Sequence, residues 1–262
     1  MVAFLCLGPK RSGDVYTASD LAWVAALADR VSSQLLLFGQ GQVIEEGRKM
    51  QEALRRYVPS AVAEQLAAGE VPQDGEREVT VLFVDIRGYT AYAERRSAGV
   101  IFETINRYIE GVSRIVTRYG GNIVEFNGDG MMAVFGAPRP LPGKERAAVA
   151  SAREIVAAVA VVATDGGVGA LSVGIGVATG VAFVGSVQAA DRRIWTALGN
   201  TTNLAARLQG LTRDLDAAIA LDSATWKAAS QEAASFVACP GVVVRGRSEP
   251  LDLYILPRDG HV

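Results

Sequence analysis

A chain of 262 residues, half of them hydrophobic, has enough apolar side chain to bury one sizeable core or two small ones. Its 28 acidic and 26 basic side chains leave a formal net charge of −2, which disfavours a general nucleic-acid reader or a polybasic membrane binder and leaves only a local basic pocket to bind phosphate. Cys6 and Cys239 cannot make a disulfide framework, no run approaches the roughly 18–20 apolar residues of a membrane span, and the opening residues are too early in basic side chains for a secretory signal, so a cytoplasmic protein is expected.

Residues 1–38 read as a short apolar strand, a turn through Gly8-Pro9 to Gly13, and an amphipathic helix starting at a Ser19-Asp20 cap and carrying Leu21, Val24, Ala25, Leu27 and Ala28. From 43 to 68 the composition turns charged and Ala/Leu-rich, with Ile44, Met50, Ala53, Leu54 and Tyr57 at helical spacing and Pro59 interrupting. This predicts a helical stalk, either a solvated linker or a short parallel coiled coil that sets dimer geometry. Asp74-Gly75 marks the end of the stalk, giving expected units at 1–38, 39–75 and 76–258.

Beyond that boundary strands and helices alternate. The spacing predicts a strand over 80–84, a helix over 100–119, and strands over 122–126 and 131–135 around a Gly128-Asp129-Gly130 turn. A second helix is expected over 145–162, then a hairpin of strands 171–178 and 181–187 about Thr179-Gly180, a helix over 201–211 and a strand over 218–221. A short helix and strands at 242–245 and 251–256 complete the chain. This β-α-β-β-α-β order predicts an α+β fold of the ferredoxin-like type, a sheet with helices on one face.

Several residues carry chemistry. Asp85 ends the apolar run VLFVD and enters a turn at Gly88, where a carboxylate can meet a hard cation while turn N–H groups face phosphate oxygens; the alternative is a strand-end Asp capping that turn. Asp129, in the hairpin tip NGDG, is open to the same two readings. Both strands enter one sheet, so the carboxylates are placed to converge on a pair of divalent ions at a phosphoryl centre. Asn203 and Arg207 fall at i and i+4 on one helix face, either to orient an oxygen and meet charge on a transferring phosphoryl group or as a surface pair. Arg245-Gly246-Arg247 is open to two readings, a strand-end cationic pair or a solvated turn. GIGVATG at 174–180 is followed by a strand rather than a helix, so it is not a dinucleotide loop.

The ordered motifs FVDIRGYT, GGNIVEFNGDGMMAVFG, VGIGVATG, LGNTTNLAARL and VRGRSEPLDLYIL resemble the class III nucleotidyl cyclase catalytic domain over about residues 76–258. The resemblance implies a ferredoxin-like core, a head-to-tail homodimer with active sites at the interface, and a nucleoside triphosphate, ATP or GTP, as substrate. It implies that Asp85, Ile86 and Asp129 hold two Mg2+ or Mn2+ ions, that Arg87, Gly88, Tyr89 and Thr90 cradle the triphosphate, and that Arg245 meets the terminal phosphates. From the other protomer, Asn203 would position the ribose and Arg207 would stabilise the transition state. The stretch LCLGPKRSGDVYTASDLAWVAALADRVSSQL resembles the last strand and exit helix of a GAF domain, implying the remnant of a sensor.

The sequence departs from the cyclase pattern at the base-reading position, where adenylyl cyclases carry a Lys and this chain has Glu125. A carboxylate cannot donate to adenine N1 but accepts from guanine N1–H and the 2-amino group, so the residue favours GTP while the abundance of adenylyl members favours ATP. Turned away, Glu125 would leave the base loosely read. Thr196, at the partner position, both donates and accepts and decides nothing. Ser172 stands where many relatives have an Arg on the triphosphate, with Arg245 and Arg247 as compensating candidates. Glu125 and Ser172 also favour the alternative of a weak cyclase-fold module for nucleotide sensing or dimerisation.

Overall fold

The computed structural model describes residues 8–9, 11, 14–15, 17–54, 60–70, 73–94, 96–165, 171–189 and 192–258. The expected strand at the start of the chain and the break at Pro59 lie outside these residues. The chain divides into two units, residues 1–57 and 58–262.

The first unit is built on helix α1 (Ala18–Leu54), 37 residues that cross position 38 without a break. Its start is a reciprocal cap ahead of the expected one. Thr17 N–H and Oγ1 donate to Asp20 Oδ2 at 2.8 and 2.6 Å, and Asp20 N–H returns to Thr17 Oγ1 at 3.3 Å.

In the second unit the helices are α2 (Ser60–Ala67), α3 (Tyr89–Ala93), α4 (Ala98–Arg118), α5 (Lys144–Asp165), α6 (Asn200–Asp214) and α7 (Ser223–Ala229). The strands are β1 (Gly75–Arg87), β2 (Asn122–Asn127), β3 (Gly130–Phe135), β4 (Ser172–Ala189), β5 (Arg192–Leu198), β6 (Ala217–Asp222), β7 (Val237–Val242) and β8 (Leu251–Pro257). The sheet runs β2-β3-β1-β4-β6-β8-β7, with β5 on β4; β4 and β6 are parallel and the other pairs antiparallel. The α+β architecture is as expected.

Helices cover both faces of the sheet rather than one. Alternate residues of β1 point to opposite sides. Leu82, Val84 and Ile86 join a core with Tyr108, Val112 and Val116 of α4 and Ala148, Ala152 and Ile155 of α5. Val79 and Val81 join a second core with Leu204, Ala205 and Leu208 of α6. That second core also takes Val62 of α2, so this part of the expected stalk packs on the sheet, and Glu64 pairs with Arg139 at 3.0 Å.

No hairpin forms at Thr179-Gly180: β4 is one strand, and its hairpin partner is β5, which the expected elements lacked. Thr179 sits opposite Thr80, their hydroxyls 2.8 Å apart, and its own hydroxyl reaches Thr225 at 2.9 Å. The glycines that resemble turn punctuation serve a close approach instead. A Cβ on Gly176 would collide with Ala205 O and Gln209 N of α6, and one on Gly180 would lie 2.8 Å from Thr201 Oγ1. The strand expected at 242–245 lies earlier, at Val237–Val242, because Val244 turns into the second core and Arg247 N–H closes a turn on Val244 O at 2.9 Å.

Candidate active site

β1 delivers Asp85 to the α6 face of the sheet, since it lies two residues beyond Phe83 and in register with Gly174 of β4. The β2–β3 hairpin, in which Asn127 pairs with Gly130, holds Asp129 in the two-residue turn between them. A Cβ on Gly130 would fall 3.6 Å from Asp85 Oδ1, so the hairpin tip lies beside the strand end. The two carboxyls are near enough to share a proton. Burial first, then the hydrogen bond and charge of Asp129, push the Asp85 carboxyl up to about 6, against the pull of the Ile86 backbone and Arg213. Tyr108 lies behind the pair. Its hydroxyl is buried and has no hydrogen-bond partner among the described residues, and burial together with the two carboxylates makes it harder to ionise.

Asp85, Glu125, Asn127, Asp129 and Gln209 line one cleft of about 240 Å³, floored by Phe83 and Met132. The register explains the grouping: Glu125 faces Met132 and Met132 faces Phe83, a continuous row across β2, β3 and β1 one step from Asp85. The sequence offered no sign of Gln209, which enters from α6, or of Tyr108, which its helix spacing assigns to the core.

The β1 exit passes through Gly88, at φ 70, into α3. Ile86 is buried in the first core, Tyr89 packs against that core, and Gly88 and Thr90 are exposed. The Arg87 guanidinium is engaged elsewhere: its Nη2 donates to the carbonyls of Thr212, at 2.7 Å, and Ala217. Among the described residues its buried Nε has no hydrogen-bond partner.

The remaining candidates lie outside that lining. Asn203 is exposed and Arg207 half-buried on α6. Gly246, at φ 74, lets the 244–247 turn close on Arg207, for a Cβ there would lie 2.9 Å from one guanidinium nitrogen and 3.1 Å from the other. Arg245 is exposed on that turn. Thr196 faces Gly185 on the β4–β5 ribbon, between the exposed apolar pairs Phe183–Leu198 and Val187–Ile194. Among the described residues, the cleft of Asp85 and Asp129 is not lined by Thr196, Asn203, Arg207 or Arg245.

The sequence pattern of the adenylate and guanylate cyclase catalytic domain matches residues 71–257. The chain belongs to this cyclase family. It is similar to an uncharacterized protein of Mycobacterium tuberculosis, Rv1320c, with 34% identity over 214 residues, which are 79% of this chain and 37% of that protein. The chain thus spans well under half the length of that curated relative. The adenylyl cyclase CyaB of Pseudomonas aeruginosa superposes with TM-score 0.62 and 28% identity, covering 70% of this chain and 95% of that one. The guanylyl cyclase Cya2 superposes with TM-score 0.62 and 26% identity, covering 70% and 92%. Both kinds of cyclase thus share this fold.

The donor set of the cyclase domain fits divalent ions. Two adjacent carboxylates in a half-buried cleft repel each other when ionised, and a bound dication relieves that cost. Among the described residues no group of three or more His, Cys, Asp or Glu is placed to hold a metal ion together. Among the described residues no helix is long and apolar enough to cross a membrane.

Proposed function

We propose that two copies of this chain convert a nucleoside triphosphate to its 3′,5′-cyclic nucleotide and pyrophosphate, with GTP preferred over ATP. The observation that carries the reading is the Asp85–Asp129 carboxyl pair in a cleft whose neighbouring row holds Glu125. Two bound Mg2+ or Mn2+ ions would supply activation of the ribose 3′-hydroxyl and neutralisation of the leaving pyrophosphate. Asp85 and Asp129 hold that charge by ionising together. The 3′-oxygen attacks the α-phosphorus, its proton passes to solvent water, and the bond from the α-phosphorus to the bridging oxygen of the β-phosphate breaks, so that pyrophosphate leaves. The backbone of 86–90 and Arg245 bind the triphosphate, Asn203 orients the ribose, and Arg207 meets the charge that builds on the phosphoryl oxygens. Glu125 accepts from guanine N1–H and the 2-amino group, with Thr196 beside the base.

The homodimer is supported by the absence of Thr196, Asn203, Arg207 and Arg245 from the described lining of the Asp85–Asp129 cleft and by the exposed apolar pairs that flank Thr196, which a second copy would cover. We further propose that residues 1–38 are the end of a GAF domain joined to the cyclase domain by a helical linker over 39–75, and that the activity is cytoplasmic. Purified protein incubated separately with ATP, GTP, CTP and UTP, in Mg2+ and in Mn2+, tests the activity, with products identified by mass spectrometry. Cyclic GMP from GTP is the expected product. Cyclic AMP in its place would show Glu125 turned from the base, and no cyclic product from folded dimer would overturn the reading.

A further inference from the structure

Three guanidinium groups gather where β1 ends and β4 begins. Arg87 and Ser172 are directly opposite in the antiparallel register, two positions beyond the Asp85–Gly174 pair and on the same face. A Cβ on Gly174 would lie 3.3 Å from Arg87 Nε, so this patch adjoins the carboxylate cleft. Arg258, just past the end of β8, reaches the same place. Its backbone N–H bonds Asp216 O at 3.2 Å, its Nη2 donates to Ser172 Oγ at 2.7 Å, and its Nη1 stands 3.7 Å from Asp216 Oδ1. Arg213 is near enough to act on both Arg87 and Asp85.

Such a cluster costs energy unless an anion shares it. Arg87 is committed to the Thr212 and Ala217 carbonyls. Asp216, whose side chain is mostly exposed, is the carboxylate paired with Arg258, and at 3.7 Å the pair is a weak one. Among the described residues positive charge therefore remains in excess, carried by a guanidinium held from one side by a serine hydroxyl and able to take a phosphate through its fork.

We propose that Arg258 binds the terminal phosphates of the nucleoside triphosphate, positioned by Ser172 and Asp216 over the ends of β1 and β4. This rests on the cyclase reading, because the α-phosphate must then lie at Asp85 and Asp129. It assigns to Arg258 the triphosphate contact missing at Ser172, for which the sequence offered Arg245 and Arg247 as compensating candidates.

Calorimetric titration of the full chain with 3′-deoxy-GTP, inorganic pyrophosphate and GMP, in Mg2+, tests it. Arg258→Gln is expected to weaken 3′-deoxy-GTP and pyrophosphate by about 10-fold or more, as for a lost charge-assisted hydrogen bond, and to leave GMP within about twofold. Arg258→Lys should recover part of the loss. Ser172→Ala, which removes one hydroxyl and keeps the fold if Arg258→Gln does not, should weaken pyrophosphate severalfold with GMP unaffected. Unchanged pyrophosphate and triphosphate affinity in folded Arg258→Gln, or in Ser172→Ala where Arg258→Gln is unfolded, overturns the assignment while leaving the cyclase reading intact. Wild-type protein that binds pyrophosphate through Arg258 but forms no cyclic nucleotide overturns the cyclase reading and keeps the anion site. Wild type that binds none of the probes overturns both.

Discussion

The Arg207 guanidinium rests against Gly246, where an added Cβ would lie 2.9 Å from one of its nitrogens and the arginine side chain would have to shift. Two elements far apart in sequence, α6 and the turn after β7, thus share one contact, and the glycine is what lets them meet. Gly246→Ala adds a methyl 2.9 Å from an Arg207 nitrogen and strains a residue at φ 74. The turn is exposed, so the domain should fold. Displacing a group that meets transition-state charge costs on the order of 10²–10³ in rate, so kcat should fall by about 10-fold or more with KM less affected. Equal kcat in folded Gly246→Ala would remove Arg207 from the catalytic role.

The carboxyl pair makes the metal-free protein pH-sensitive in a defined direction. Asp85 titrates at about 6 in the fold against an ordinary 3.8, so the fold favours its protonated form. That contribution is complete below pH 3.8 and is lost as pH rises to about 6. Without divalent ions the Tm should therefore fall across this window. Asp85→Asn should flatten the fall, raise the Tm of the metal-free protein at pH 7.5, and abolish product. Added Mn2+ should raise the wild-type Tm more at pH 7.5 than at pH 5, since protons and metal compete for the pair.

Glu125 decides the base only if it faces it. Replacing it with a donor, Glu125→Lys, should lower the kcat/KM ratio of GTP over ATP by about 10-fold or more, because a lysine donates to adenine N1 and leaves guanine N1–H opposed to a donor. A ratio that does not move would show that the base is read elsewhere.

Composite sites predict complementation. Asp85→Ala and Arg207→Ala chains, each inactive alone, should regain about a quarter of wild-type activity on mixing, since half of the random dimers carry one intact site of two. No recovery in demonstrated mixed dimers would place all the catalytic groups within one protomer.

Gly176 tests the packing that carries α6. A methyl there meets Ala205 O and Gln209 N, backbone that cannot turn aside. Gly176→Ala should cost about 1–3 kcal/mol in urea unfolding, the usual range for overpacking, with activity lost alongside as Arg207 shifts on its helix.

Local chemistry was legible where it repeats at short range. The apolar run ending in Asp85, the NGDG tip that holds Asp129, and the i, i+4 spacing of Asn203 and Arg207 each belong to a single element, so the sequence by itself determined the family, most of the elements and these side chains. It misread Gly180 as a turn because a glycine's lack of a side chain serves a turn and a close helix contact equally, and only the arrival of Thr201 tells them apart. The tertiary structure alone decided what depends on long-range pairing. Sheet register puts Glu125 in the row beside Asp85. Burial and the nearness of Asp129, which no spacing encodes, raise the Asp85 carboxyl. The closing strand carries Arg258 back across 86 residues to Ser172, into a charge cluster that no stretch of sequence contains.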